Sequence, residues 1–231
     1  ILILMRYVVD LVILCVQAVW VQHKHGTEMP SLQKEEVLTF LGQEDFRKWL
    51  SEHHVRSHGV WLRFFKKASG KVGITYAEAL GLAQQGMTAV SIAGTHGKST
   101  TTAMTSWVGI RCGLDPSVIV GATCDQLGGG TRTGSRFIPT GLLRDRPGVL
   151  VCEACEFNRS FHHHRPTIGL INNIEEDHLD YYSTLEEIIG SFRDFARLLP
   201  SARDGGKLLI AEDGAHRREI VAGLDCEVAT F

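Results

Sequence analysis

A short apolar run that breaks on two glycines and resumes as Lys-Ser-Thr constrains this chain more than any other feature. It reads Val90-Ser91-Ile92-Ala93-Gly94-Thr95-His96-Gly97-Lys98-Ser99-Thr100. Residues 88–93 have the β-branched texture of a buried strand, and Ala103, Met104, Trp107 and Val108 follow at helical spacing. Glycines let the backbone turn tightly enough for several N–H groups to converge on phosphate oxygens. The helix that follows adds the partial positive charge of its N-terminus. Lys98 is then expected to carry a mobile charge to the β- and γ-phosphates, and Ser99 a hydroxyl to Mg²⁺. The strict G-x-x-x-x-G-K-[ST] pattern fails at its first glycine, where Ile92 stands. The strand before and the helix after G-x-x-G-K-S-T therefore carry the phosphate reading against a chance glycine turn.

From Met87 onward β-branched runs alternate with helical patterns. Strands are expected at 88–93, 118–121, 149–153, 167–172, 208–211 and 226–230, and helices near 98–112, 184–199 and 213–223. Thr184 and Glu187 form a capping box before an apolar face of Leu185, Ile188, Ile189, Phe192, Phe195 and Ala196, and Pro200 closes that helix. Alternation of this kind predicts an α/β fold, a mostly parallel sheet with flanking helices and a phosphate loop. A small α+β segment precedes it at 43–86. There Phe46, Trp49 and Leu50 mark a helix face and residues 60–65 a strand. Thr75 and Glu78 form a second capping box. Residues 1–42 read as leader and linker. The uncharged stretch Leu11 to Gln22 is shorter than the ~18–20 residues of a membrane helix. Ile1 in place of Met suggests a fragment or partial reading frame.

Composition excludes little but does so usefully. Lys plus Arg number 24 and Asp plus Glu 26, a net charge of −2. No dense basic face is available for nonspecific nucleic acid or membrane binding. Six cysteines without framework spacing suit a reducing compartment better than a disulfide scaffold.

Ala93-Gly-Thr-His-Gly-Lys-Ser-Thr-Thr-Thr-Ala-Met104 resembles the ATP loop of the Mur ligases. Gly113-Leu-Asp-Pro-Ser117, Glu153-Ala-Cys-Glu156 with Ser160-Phe161, and Asn173-Ile-Glu-Glu-Asp-His178-Leu-Asp180 agree in order and spacing. The resemblance covers about residues 87–231. It is narrowest toward the branch that joins L-alanine to UDP-N-acetylmuramate through an acyl phosphate, in the cytoplasm, during peptidoglycan synthesis. It implies ATP and Mg²⁺ as cofactors and UDP-N-acetylmuramate and L-alanine as partners of a full-length parent. Gly94, Thr95, His96, Gly97, Lys98, Ser99, Thr100 and Asn173 would hold the nucleotide. Lys98, Glu153 and His178 would be catalytic, and Ser99, Glu153 and His178 would hold metal. Position agrees for Glu153, since a carboxylate at the carboxyl end of a parallel strand faces the crevice where such folds bind ligands. Asp177 could orient His178.

Several features stay outside this assignment. Members of the family with Glu-Ala-Asp-Glu-Ser-Asp contrast with Glu-Ala-Cys-Glu-Phe-Asn here, which leaves the roles of Glu156 and Asn158 open. Cys152 and Cys155 with His162, His163 and His164 suggest a zinc site only weakly, because strand alternation turns Cys152 away from Glu153. Residues 127–134, Leu-Gly-Gly-Gly-Thr-Arg-Thr-Gly, read as a flexible loop, either against the sugar nucleotide or simply mobile. The glycine-rich UDP signature of the family's first domain is not found in residues 1–86. Instead residues 46–71 with Ile74-Thr-Tyr-Ala-Glu-Ala79 resemble the YdeI-type bacteriocin-protection family. The expectation is a composite of two truncated pieces, without the family's amino-acid domain. Three functions compete: a ligase, a nucleotide-binding module without ligase chemistry, and a small protective domain at the N-terminus.

Overall fold

A computed structural model describes residues 2–5, 37–53, 60–65 and 69–231. The apolar stretch Leu11 to Gln22 lies outside the described residues, as does most of the leader. Toward the N-terminus, β1 (Leu2–Met5), β2 (Val37–Leu38), α1 (Gln43–His53), β3 (Val60–Arg63) and α2 (Tyr76–Ala83) follow in order. The three strands form a sheet in the order β1-β3-β2. The capping box of α2 closes in both directions. The Glu78 amide donates to Thr75 Oγ1 at 3.2 Å, and the Thr75 amide donates to Glu78 Oε2 at 2.8 Å.

The larger layer comprises β4 (Thr88–Ala93), α3 (Lys98–Arg111), β5 (Ser117–Cys124), β6 (Gly129–Arg132), β7 (Val149–Glu153), β8 (Ile168–Ile171), α4 (Leu185–Ala196), β9 (Lys207–Ile210), α5 (Arg217–Val221) and β10 (Glu227–Thr230). Seven strands form one sheet in the order β10-β9-β8-β4-β7-β5-β6. Every neighbouring pair is parallel except β5 and β6. The α/β expectation for this part therefore holds. β4 lies between β7 and β8, so the turn after Ala93 opens at the middle of the sheet's carboxyl edge, where α/β sheets bind ligands.

Helix α4 buries Ile188, Ile189, Phe192, Phe195 and Ala196 as its pattern predicts. Phe161 stacks on Phe195 at 4.9 Å between ring centroids and meets Phe192 edge-on at 5.3 Å. Each such buried aromatic ring contributes ~1.5–3 kcal/mol. Only half of the α4 capping box forms as expected. The Glu187 amide donates to Thr184 Oγ1, while the Glu187 carboxylate accepts from the Ser183 amide instead of from Thr184.

Two expectations need correction. Residues 127–134 are no flexible loop, because Gly129–Arg132 form the edge strand β6. β5 bulges between Ile119 and Cys124, and a Cβ on Gly130 would sit 3.1 Å from the Ala122 carbonyl oxygen, so a residue without a side chain lets the hairpin close. The last helix shrinks from 213–223 to Arg217–Val221, because the Gly214 amide turns back to the Ala211 carbonyl. The segments on either side of residue 86 pack together. Phe40, Phe46, Leu50, Leu62, Ile74 and Leu80 share one core with Met87, Ile119, Leu150 and Cys152. Residues 37–42, read as linker, supply Phe40 to that core.

A buried polar knot ties α2 to the large sheet. Gln84, 1% exposed, donates to Ser91 Oγ at 3.0 Å, lies 3.2 Å from His164 Nδ1, and accepts the Arg165 amide. Cys152 points into this knot and away from the strand-end crevice, and burial pushes its thiol up to about 11. Among the described residues no helix is long and apolar enough to cross a membrane.

Candidate active site at the strand ends

The turn from β4 into α3 leaves the N-terminus of α3 without a side-chain cap. Gly94 has φ +138°, and a Cβ there would lie 2.9 Å from the Asn172 Cβ. Gly97, the N-cap of α3, has φ +79° and offers no side-chain cap. The first turn of α3 holds no acidic residue, so its free N–H groups and partial charge face the crevice uncompensated. Asn172 and Asn173, at the end of β8, brace the loop from below. Asn173 Oδ1 accepts the His96 amide at 2.8 Å, and Asn172 Nδ2 donates to the His96 carbonyl at 3.2 Å. Thr95 Oγ1 accepts the Glu175 amide at 2.9 Å. Asn173, expected to face phosphate, thus spends its side chain on the loop backbone.

Lys98 is folded back. Its Nζ donates to the Gly94 carbonyl at 2.6 Å, to the Thr95 carbonyl at 3.0 Å and to Glu156 Oε1 at 3.0 Å, with Glu156 Oε2 at 2.9 Å. Glu156 is 2% exposed, and its Oε2 accepts no hydrogen bond in spite of that contact. Tyr182, itself buried, holds the Glu156 carbonyl at 2.6 Å and meets Ser191 of α4 at 3.1 Å. Burial pushes the Tyr182 hydroxyl up, so it stays a donor.

Glu153 ends β7 in register with Ile92 of β4, next to the loop. Its Oε1 accepts the Gly121 amide at 2.6 Å. A cavity of about 320 Å³ beside it is walled by Tyr76, Cys155, Asn158 and His163. His178 lies across the crevice. Its Nε2 is 3.8 Å from Glu156 Oε1 and 3.8 Å from Asp177 Oδ2. Glu156, Asp177 and His178 each bring one ligand atom within 4.8 Å of the others. His178 has φ +51°, and Asn158 and Arg159 have φ +53° each, so strained backbone clusters around this carboxylate. Phe157 lies 5.0 Å from the His178 ring and 5.8 Å from that of Tyr181. From Ser99 and Thr100 a groove of about 690 Å³ runs along Met104 and Trp107 to the β5–β6 turn.

The structure gathers Gly94, Thr95, His96, Gly97, Lys98, Ser99, Thr100, Glu153, Asn173 and His178 at one edge. It adds Glu156 as the charged partner of Lys98, with Asn172 and Tyr182 as supports. Sequence reading left the role of Glu156 open, and only its burial against Lys98 brings it into the site.

Comparison with known proteins bears on this arrangement. The family model described as the Mur ligase middle domain matches residues 92–231. Residues 38–85 match a domain of unknown function (DUF8412), and the YdeI-type resemblance gains no support. The UDP-N-acetylmuramate–L-alanine ligase of Alkaliphilus metalliredigens is 39% identical over 143 residues, which are 62% of this chain and 28% of that protein. Its counterpart from Lachnospira eligens is 38% identical over 169 residues, 71% of this chain and 33% of that one. The chain spans about a third of the length of these relatives. Among solved structures, a UDP-N-acetylmuramate:L-alanyl-γ-D-glutamyl-meso-diaminopimelate ligase from Neisseria meningitides matches with TM-score 0.54 and 27% identity, over 63% of this chain and 46% of that one. A murein peptide ligase from Psychrobacter arcticus shares the fold with TM-score 0.54 at 22% identity, over 80% of this chain and 37% of that one.

Proposed function

The chain belongs to the Mur ligase family, and from that we propose that residues 87–231 form the ATP-binding centre of an ATP-dependent acid–amino-acid ligase of peptidoglycan synthesis. The substrates we assign to the whole enzyme are UDP-N-acetylmuramate and L-alanine, by likeness to the relatives so named. The single observation that carries the reading is the uncapped N-terminus of α3 behind Gly97, with Lys98 at its mouth and carboxylates at the neighbouring strand end.

In this reading the lactyl carboxylate of the sugar nucleotide attacks the γ-phosphorus of ATP and ADP leaves. The amine of L-alanine then displaces phosphate from the acyl phosphate. The amides of the first turn of α3 bind phosphate oxygens, and Lys98 turns from Glu156 to the transferring group as charge builds on it. Asn172 and Asn173 keep the loop in shape while Lys98 moves.

The residues present fit a magnesium ion. A buried carboxylate oxygen without a hydrogen bond, beside a second carboxylate and an imidazole, is an oxygen-rich donor set for a hard cation. As the resemblance implies, Ser99 and Glu153 would hold one such ion and His178 a second, with Glu156 and Asp177 available beside His178. When bound, the metal neutralises charge on the phosphate oxygens. A cytoplasmic, reducing setting goes with this role.

Calorimetric titration of the chain with Mg·ATP tests the reading. Lys98→Ala is expected to weaken binding by at least about tenfold, the loss of one charge-assisted phosphate contact, with an unchanged circular dichroism spectrum. Equal affinity in the variant refutes the loop assignment. The short span against the relatives favours a second reading of the isolated 231 residues, a nucleotide-binding module that ligates nothing by itself. Detection of UDP-N-acetylmuramoyl-L-alanine in an assay of this chain alone removes that second reading.

A further inference from the structure

Among the described residues Glu156 is the only buried carboxylate, and it holds the lysine that the phosphate reading needs elsewhere. A lysine ammonium has three protons. Here the Gly94 carbonyl, the Thr95 carbonyl and Glu156 take all three. A triphosphate can recruit Lys98 only by breaking one of these contacts. Glu156 is the charged partner, so it competes with phosphate most directly. Yet Lys98 cannot simply leave. Glu156 would remain as an unpaired charge in a buried setting, with several phosphate charges beside it, and both effects oppose binding.

The surroundings of Glu156 offer a way out. Its Oε2 is buried and, apart from the Lys98 ammonium at 2.9 Å, accepts no hydrogen bond. Its Oε1 lies 3.8 Å from His178 Nε2, and Asp177 completes a set whose ligand atoms all lie within 4.8 Å. His178 is held there at φ +51°, with its own amide donating to Asp177 Oδ1 at 2.7 Å. A divalent cation in this set would replace the positive charge that Lys98 withdraws.

We propose that Glu156 is a charge-exchange residue: it neutralises Lys98 while the loop is free of nucleotide, and passes to a divalent cation held with Asp177 and His178 when a triphosphate takes Lys98. The proposal rests on the phosphate-loop reading and deepens it. Nucleotide and cation then bind as coupled ligands, each tightening the other through one carboxylate.

The test is a titration of the full chain with the fluorescent probe N-methylanthraniloyl-ATP, once in EDTA and once in saturating Mg²⁺. In the unsubstituted protein Mg²⁺ is expected to tighten binding by about tenfold or more, an ordinary coupling strength. Glu156→Gln frees Lys98 and strands no charge, so metal-free binding should tighten several-fold and the Mg²⁺ effect should fall below about threefold. His178→Ala leaves the Lys98–Glu156 pair in place but removes a ligand of the cation, so it should lower the Mg²⁺ effect. Metal-free affinity in Glu156→Gln at or below that of the parent, or an undiminished Mg²⁺ effect, overturns the exchange while the loop assignment stands. If Glu156→Gln does not fold, an undiminished Mg²⁺ effect in His178→Ala overturns it equally. Absence of probe binding to the parent protein in both conditions overturns the phosphate loop and the exchange together.

Discussion

Replacing Gln84 with Ala should cost the protein about 4 kcal/mol. The side chain is 1% exposed at the C-terminal end of α2 and serves four groups of the large sheet and its following turn, Cys152 Sγ among them. Its carbonyl accepts the Arg165 amide, and its amide reaches Ser91 Oγ at 3.0 Å and His164 Nδ1 at 3.2 Å. Ser91 and His164 can still bond each other at 3.0 Å after truncation, so their loss is limited to about 1 kcal/mol. The Arg165 amide has no such alternative, and a part-buried donor without a partner costs ~1–2 kcal/mol. The space left by the amide and a methylene adds ~1–2 kcal/mol. Against a total stability of ~5–15 kcal/mol this is a large fraction. Gln84→Met fills the space without the hydrogen bonds and should cost about 2 kcal/mol. Urea unfolding followed by far-ultraviolet circular dichroism measures both. Because one core spans α2 and β7, each variant should shift a single transition as a whole. A loss below 1 kcal/mol, or two transitions of which one stays put, refutes the claim that this knot joins the segments into one unit.

The other predictions concern protonation and space. His164 is buried with its pKa lowered to about 3, chiefly by burial, well below the 6.5 of an exposed ring. Between those values the unfolded chain binds a proton that the folded chain refuses, so this contribution to stability is complete above pH 6.5 and is lost as pH falls toward 3. At pH 5 the loss should be about 2 kcal/mol, and His164→Gln should flatten that part of the urea-midpoint profile; an unchanged profile in the variant contradicts the assignment. Two helical glycines should respond with opposite signs. A Cβ on Gly81 would lie 1.9 Å from the His163 carbonyl oxygen, so Gly81→Ala should destabilise by at least ~2 kcal/mol. Gly190 in α4 has open space around it, so Gly190→Ala should stabilise by ~1 kcal/mol; thermal melts of the two read the difference directly.

Legibility in the sequence followed how local each cause was. β4 and α4 were readable because burial imposes period 2 on one and 3.6 on the other, and Thr184 and Pro200 mark the ends of α4. The tight turn between β4 and α3 was readable because few residues other than glycine tolerate φ +79° ahead of a lysine. β6 was not, since it opens on Gly129 and Gly130, which carry no strand propensity and pair only because the β5 bulge brings a partner against them. The shared core was also invisible, because it joins Phe40 and Leu150 across a sequence distance that no periodicity spans. Glu156 was hidden for a related reason. Its neighbours in sequence, Cys155 and Phe157, are exposed, and only folding shows that it is buried against Lys98.

Stability does not account for that burial. A solvent-excluded ion pair with one lysine returns little or nothing against its desolvation, and hydrophobic replacements often do better. Here the pair also leaves a carboxylate oxygen without a hydrogen bond and stands beside three non-glycine residues at positive φ. Each of these costs free energy that the packing of Phe161, Phe192 and Phe195 and the Tyr182 bond to Glu156 must offset. Costs concentrated at one sheet edge, next to an uncapped helix N-terminus, support the binding role proposed for it. The charges are held ready at the expense of the empty fold. Nucleotide and cation would relieve both the trapped lysine and the underused carboxylate, so the chain should gain stability from the two together beyond the sum of what each gives alone.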